Sequence, residues 1–415
     1  MTTVDTTANP VVPERDRWPD LAVPRGLRAG VSAMAVDVLV RRLTRRLPLA
    51  VRYPDGTVAG SPAGVPCLVL HRPGDFAARV GAAGLIGFGE SYMAGDWDAP
   101  DLVGVLTVLA AHVDELVPRP LARLRRLYVA GHPAAERNSE DNTRGNIARH
   151  YDLSNDFFGL FLDETMTYSA ALFTDPADDL ATAQRAKIDR LLDRAGVRSG
   201  TRLLEIGTGW GELAVRAAAR GARVHTVTLS SEQQAAALAR VAAAGLAERV
   251  RVDLLDYRRV RGTYDAVVSV EMIEAVGYEY LDTYFATIGR VLAPGGRAAI
   301  QAITMPHERM LATRHTYTWI QKYIFPGGFL PSVRAIEESV ARGTDLRVRE
   351  EFSMGPQYAR TLRAWRERFE DARAEIGALG FDETFVRMWR LYLAYSEAGF
   401  RSGYLDVGQF VLARA

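Results

Sequence analysis

Residues Leu203–Gly211 read LLEIGTGWG: an apolar run carrying one acid, Glu205, followed by three glycines, Gly207, Gly209 and Gly211. Glycine supplies positive φ and lets a backbone pass close to a ligand. A helix beginning near Glu212 presents its free N–H groups to that ligand. The spacing is G-x-G-x-G, not the G-x-G-x-x-G of the dinucleotide fingerprint. A generic strand-to-helix turn needs similar glycines, so the loop gains meaning from its neighbours. Glu205 can receive an ammonium group, directly or through water. After the next strand, TVTLSSEQQ offers no acid at its end, but Gln233 has both donor and acceptor for ribose hydroxyls. Asp256, in LLDYR after the third strand, is placed to hold an adenine amino group. Each residue taken singly fits a cap or a surface polar group equally well. Taken in order on successive strand ends, they favour S-adenosylmethionine (SAM).

These strand ends need a frame. Past Ile147, LLEI, VHTVTL, VRVDLLD, DAVVSV and RAAIQAIT read as strands. Ser230 caps a helix through SSEQQAAALARVAAAG that ends at Gly245, and YLDTYFATIGRVL is helical between the last two strands. Two further helical patterns and a strand-like QFVLARA close the chain. Alternation of this kind implies a mostly parallel sheet covered on both faces, with ligands at the strands' carboxyl ends. Upstream, amphipathic helical stretches mix with short β-like runs such as CLVLHRP. The expected division is a flexible start over 1–20, an N-terminal domain over 21–130, a polar linker over 131–146, and the α/β domain over 147–415.

Composition narrows the class. The chain has 415 residues, 48% of them hydrophobic, and a net charge of +1, which gives no support to nucleic-acid binding. A single cysteine, Cys67, excludes an intramolecular disulfide and a cysteine metal cluster. No apolar run reaches the length of a membrane span, and the N-terminus lacks a basic-then-apolar signal pattern. A cytoplasmic protein is expected. His150, His307 and His315 lack metal-ligand spacing, so no metal site is expected.

More specific text lies outside the glycine loop. HYDLSNDFFGLFLDETMTYSAALF (His150–Phe173), EMIEAVG (Glu271–Gly277), WIQKYIFPGGFLPS (Trp319–Ser332) and QYARTLRAW (Gln357–Trp365) resemble motifs of the cyclopropane fatty acid synthase family. The glycine loop resembles the first motif of SAM methyltransferases. LIGFGESYMAGDWD (Leu85–Asp98) is similar to the lipid-binding domain of the full-length family enzymes. Within the family, the chain is similar to the actinobacterial subgroup linked to tuberculostearic (10-methylstearic) acid.

The resemblance implies a Rossmann-like class I SAM methyltransferase with a mainly helical N-terminal lipid-binding domain. It implies a SAM-dependent fatty acid C-methyltransferase (EC 2.1.1) in which the double bond of a cis-unsaturated phospholipid acyl chain attacks the SAM methyl group. A carbocation results, and a base then removes a proton. Ring closure gives a cyclopropane; C=CH2 formation gives a methylene branch, which a separate flavin or nicotinamide-dependent reductase saturates. The resemblance also implies peripheral association with the inner face of the membrane, and a homodimer. Two alternatives stand beside the methylene enzyme: a cyclopropane synthase, and a non-catalytic SAM- and lipid-binding partner of a reductase.

By position, Tyr168 and Ser169 match the family's SAM contacts, with Gly207, Gly209, Gln233 and Asp256 completing the cofactor site. Glu274 and Tyr358 match its active-site glutamate and tyrosine. In cyclopropane synthases a bicarbonate ion acts as base, held by cysteine, glutamate, histidine, isoleucine-backbone and tyrosine positions. Here Ala170 stands at the cysteine and Gln301 at the histidine, while Glu274, Ile303 and Tyr358 are kept. Gln301 can donate a hydrogen bond but cannot become cationic. An altered bicarbonate site is therefore expected, with a shifted base favouring methylene; a neutral Ala170 is the alternative. Tyr151, Phe157, Phe158, Tyr168, Tyr317, Trp319, Tyr323 and Phe325 crowd these motifs, some to face a cation, most to line a core or tunnel. Arg41, Arg42, Arg45 and Arg46 in Met34–Leu49 suit either an anionic membrane surface or an ordinary solvated helix face.

Overall fold

The computed structural model of the chain describes residues 13–14, 16–26, 36–60, 64–113 and 153–414. The expected linker, His150 and Tyr151 lie outside the described residues. Two compact units are present: Met1–Gly131 with Thr316–Tyr323 and Phe369–Tyr404, and His132–His315 with Ile324–Arg368 and Leu405–Ala415.

In the first unit, strands β1 (Ala50–Arg52), β2 (Val58–Ala59), β3 (Cys67–Leu70) and β4 (Trp97–Asp98) form a sheet in the order β2-β1-β3-β4. Helices α1 (Pro73–Ala83), α2 (Leu85–Met93) and α3 (Leu102–Ala111) accompany it. Asp101 caps α3 by accepting from the Gly104 N–H at 2.8 Å. Buried Asp96 pairs with Arg79 and, at 2.9 Å, with Arg72. The arginines at 41, 42, 45 and 46 are exposed, while Val36, Leu47 and Leu49 are buried.

The unit boundary corrects the expectation that 147–415 is one domain. Two later segments belong to the first unit because their polar groups are satisfied there. Arg387, on the helix Glu383–Arg401, donates to the Tyr92 and Trp97 carbonyls at 2.6 and 2.9 Å and pairs with Asp98 at 2.8 Å. Lys322 and Tyr323 both donate to Glu90, at 2.6 and 2.9 Å.

The second unit is the expected doubly wound sheet. Its strands are β5 (Arg202–Ile206), β6 (Arg223–Thr228), β7 (Val250–Leu254), β8 (Tyr264–Val270), β9 (Leu292–Thr304), β10 (Leu346–Ser353) and β11 (Asp406–Arg414). They run in the order β10-β11-β9-β8-β5-β6-β7. The pairs among β5 to β9 are parallel, while β11 joins β9 and β10 joins β11 antiparallel. Leu204 and Ile206 of β5 pack into one core layer and Leu203 into the other, as a strand buried on both faces requires. Strand order reverses at β5, between β6 and β8, which opens a crevice at their carboxyl ends.

Four helices position the site: α4 (Leu180–Arg194), α5 (Glu212–Ala219), α6 (Ser231–Ala243) and α7 (Leu281–Val291). Asp179 caps α4 and Ser230 caps α6, the latter as expected. A fifth helix, α8 (Gly355–Asp371), brings in Tyr358 near its start. Strand β10 is an addition to the sequence reading.

Candidate active site

The glycine loop forms one wall of a cavity of about 170 Å³, lined also by Tyr168, Ser169, Glu205, Gln233, Lys187 and Glu271. Gly207 has φ +90°, and a Cβ there would sit 2.8 Å from Met272 Cγ. Gly211, also at φ +90°, is the N-cap of α5, and a Cβ would lie 3.0 Å from Ala237. Both positions thus require glycine for conformation and for space.

Glu205 is buried, and burial pushes its carboxyl up to about 7, tempered by the Thr226 and Thr208 hydroxyls. Its Oε2 has no hydrogen-bond partner. An orphaned buried carboxylate oxygen on a cavity wall fits a cationic amino group, as SAM presents. Gln233 is buried, its Oε1 accepting from the Thr228 hydroxyl at 2.9 Å. Tyr168 packs its ring against Phe158 and Trp365, with centroids 5.3 and 5.2 Å away.

Asp256 is not brought to the cavity. Its carboxylate caps the turn Tyr257–Arg259 and pairs with Arg258 at 2.6 Å, because the arginine two residues on can reach back. Its neighbours Leu255 and Tyr257 line the wall instead.

The five positions expected to hold bicarbonate gather around two carboxylates. Glu274 Oε1 accepts from the Ile303 N–H at 2.5 Å. Its Oε2 is buried without a partner, and burial with the neighbouring Glu271 charge pushes the group up to about 8. The other three donors are already engaged: the Ala170 N–H and Gln301 Nε2 each donate to Glu271 Oε1 at 2.8 Å, and the Tyr358 hydroxyl to Oε2 at 2.8 Å. The expected anion cradle is therefore filled by a side chain. Glu271 was missed in the sequence, although an acid one residue beyond β8 stands where ligands gather.

Helix α4 supplies the remaining polar groups from one face, at three-residue spacing. Gln184 donates to the Ser169 carbonyl at 2.8 Å, and Lys187 Nζ to the Ser169 hydroxyl at 2.6 Å. Arg190 donates to Gln409 Oε1 at 2.6 Å. Lys187 is fully buried, and burial lowers it to about 8 against the pull of Glu271.

The aromatics separate. Phe157 and Phe158 are fully buried core rings with Phe161, whereas Trp319 and Tyr323 belong to the first unit. His307 bonds the Ser332 hydroxyl at 2.8 Å.

A mixed sheet, parallel through its centre, with a glycine loop and a buried acid at its switch point has the architecture of a SAM-dependent methyltransferase. The comparisons give the family. Mycolic acid cyclopropane synthetase is the family whose signature matches residues 138–410, and the chain belongs to it. It is 59% identical over 422 residues to the tuberculostearic acid methyltransferase UfaA1 of Mycobacterium tuberculosis, covering 99% of each chain. It is 38% identical to the cyclopropane-fatty-acyl-phospholipid synthase of Escherichia coli K12, over 82% of this chain and 86% of that one. Among solved structures, the mycolic acid cyclopropane synthase CmaA1 complexed with SAH and CTAB matches with TM-score 0.61 and 33% identity, covering 65% of this chain and 97% of that one.

Proposed function

We propose that the chain methylates the cis double bond of oleoyl-type acyl chains on membrane phospholipids and releases a 10-methylene chain. A separate flavin or nicotinamide-dependent reductase then saturates it to the 10-methyl product. The observation that carries this reading is the end-to-end likeness to a tuberculostearic acid methyltransferase.

Bound SAM supplies an electrophilic methyl group. Glu205 and Gln233 hold its polar ends, and the Gly207–Gly211 loop lets the backbone lie against it. The half-buried ring of Tyr168, which lines the cavity and is backed by the buried Trp365, offers an aromatic wall of the kind that a carbocation on the acyl chain favours. The exposed arginines at 41, 42, 45 and 46 give a basic face for anionic headgroups. No helix among the described residues is long and apolar enough to cross a membrane.

The experiment is mass spectrometry of fatty acids after incubation with SAM and oleoyl phospholipid vesicles, without reductant. A gain of one CH2, cleaved by ozonolysis as a branched alkene, supports the reading. The same gain resistant to ozonolysis overturns it in favour of a cyclopropane synthase. SAM-dependent stabilisation without any lipid turnover favours a binding partner.

A further inference from the structure

We infer that the Glu271 carboxylate is the base of this reaction, a side chain in place of a dissociable bicarbonate ion. The inference rests on the proposed methylation of an acyl double bond, but not on which product forms.

Three observations carry it. First, Glu271 takes the hydrogen bonds of Ala170, Gln301 and Tyr358, the donors expected for the ion, and it lines the cofactor cavity. Second, its backbone is strained. Glu271 has φ +48°, one of two non-glycine residues with positive φ among the described residues. That conformation is unfavourable for a side chain with a Cβ and persists where its surroundings impose it. Here the Glu271 N–H donates to the Gln301 carbonyl at 2.8 Å, locking the turn that aims the carboxylate.

Third, the polarity of the cradle is fixed from a distance. Arg190 can only donate, so Gln409 must present Oε1 to it, at 2.6 Å. Gln409 Nε2 then donates to Gln301 Oε1 at 3.1 Å, and Gln301 Nε2 is left to donate to Glu271. Glu350 holds Arg190 from the other side at 2.7 Å. Arg190, Gln409 and Gln301 are positioning residues that present a donor to an anion. Ala170 completes the picture, since its methyl leaves the cradle to the longer Glu271.

The step balances without a further reactant. The π pair of the chain forms the new C–C bond as the donor's C–S bond breaks, leaving a cation on the adjoining carbon. The proton leaves from the transferred methyl group. Its C–H pair either closes a ring or, after a hydride moves from the methylated carbon to its cationic neighbour, becomes the C=CH2 bond. Glu271 takes the proton and becomes a neutral acid, later discharged to water.

The test uses the full chain with SAM and oleoyl vesicles, in degassed buffer with and without added bicarbonate. Wild-type turnover should be the same within twofold in both. Glu271→Gln preserves the shape and can donate to the Tyr358 oxygen, so it should bind SAH as the wild type does while losing about a hundredfold or more in turnover, the scale of a lost general base. Glu271→Gly relieves the φ and opens the cradle; its turnover should depend on added bicarbonate. A readout independent of turnover is binding of 13C-bicarbonate by NMR, expected for Glu271→Gly and not for the wild type. Wild-type dependence on bicarbonate, wild-type binding of the ion in this cradle, or Glu271→Gln retaining more than a tenth of the rate would overturn the inference. Wild-type turnover with an unaffected Glu271→Gln variant would leave the proposed methylation standing and remove only the base.

Discussion

Glu205→Gln should stabilise the ligand-free protein while weakening its hold on SAM. Glu205 is buried with an unpartnered oxygen, and its carboxyl rises from an ordinary 4.5 to about 7. A carboxyl raised on folding keeps its proton where the unfolded chain has lost it. Stability therefore falls as pH climbs from 4.5 to 7, and the whole penalty persists above 7. At about 1.4 kcal/mol per pH unit, that penalty is about 3 kcal/mol at pH 8. A glutamine carries no such penalty. The variant and the wild type should be nearly equal in stability at pH 5, and the variant should be more stable by about 3 kcal/mol at pH 8. Urea unfolding at the two pH values checks this. The ligand reverses the order. Wild-type affinity for SAH should strengthen about tenfold between pH 6 and 8 as Glu205 ionises. The variant, lacking a charge-assisted contact, should bind about tenfold to a hundredfold more weakly at pH 8. Calorimetry reads both. A variant less stable than the wild type at pH 8, or a wild-type affinity flat with pH, would refute the assignment of Glu205 as the buried ammonium acceptor.

Three further outcomes follow from the same geometry. Gln301→Leu removes one donor from a buried carboxylate, worth about 1.5–3 kcal/mol, so kcat should fall about tenfold to a hundredfold with SAM affinity unchanged in calorimetry. Lys187→Met removes the charge that holds Glu271 down against its burial; the acidic limb of the pH–rate profile should move to higher pH, and an unmoved limb would mean that Glu271 is not the titrating group. In the first unit, Asp96→Asn leaves buried Arg79 without a counter-charge, at a cost of about 3 kcal/mol. Lowered protection of the β3–β4 amides in hydrogen exchange would register it.

The glycine loop and its acid were legible because their determinants are local. LLEIGTGWG names a strand, an acid and a turn within nine residues, and the structure sets them side by side. Asp256 has an equally local partner: Arg258, two residues on, is close enough in the chain to pair with it. The catalytic half was only partly legible. The motifs pointed to Ala170, Glu274, Gln301, Ile303 and Tyr358, but not to what they surround. Glu271 meets Gln301, Tyr358 and Ala170 across 30, 87 and 101 residues of chain, and no periodicity encodes those meetings. Gln184 and Lys187 were hidden by type, since glutamine and lysine on a helix ordinarily face solvent; both are fully buried here. Strand β10, LRVREEFS, alternates in burial, but its paired glutamates and the irregular register between Val348 and Glu350 mask the pattern. The return of Glu383–Arg401 to the first unit depends on Arg387 meeting Tyr92 and Asp98, a pairing that exists only in three dimensions.

The most direct test of the account is carbon NMR of the lipid extracted after incubation with oleoyl phospholipid vesicles and SAM labelled with 13C in its methyl group. The label should appear as an exocyclic olefinic CH2 on the acyl chain, formed without added reductant. Label in a high-field cyclopropane CH2, or label confined to the headgroup, would contradict it.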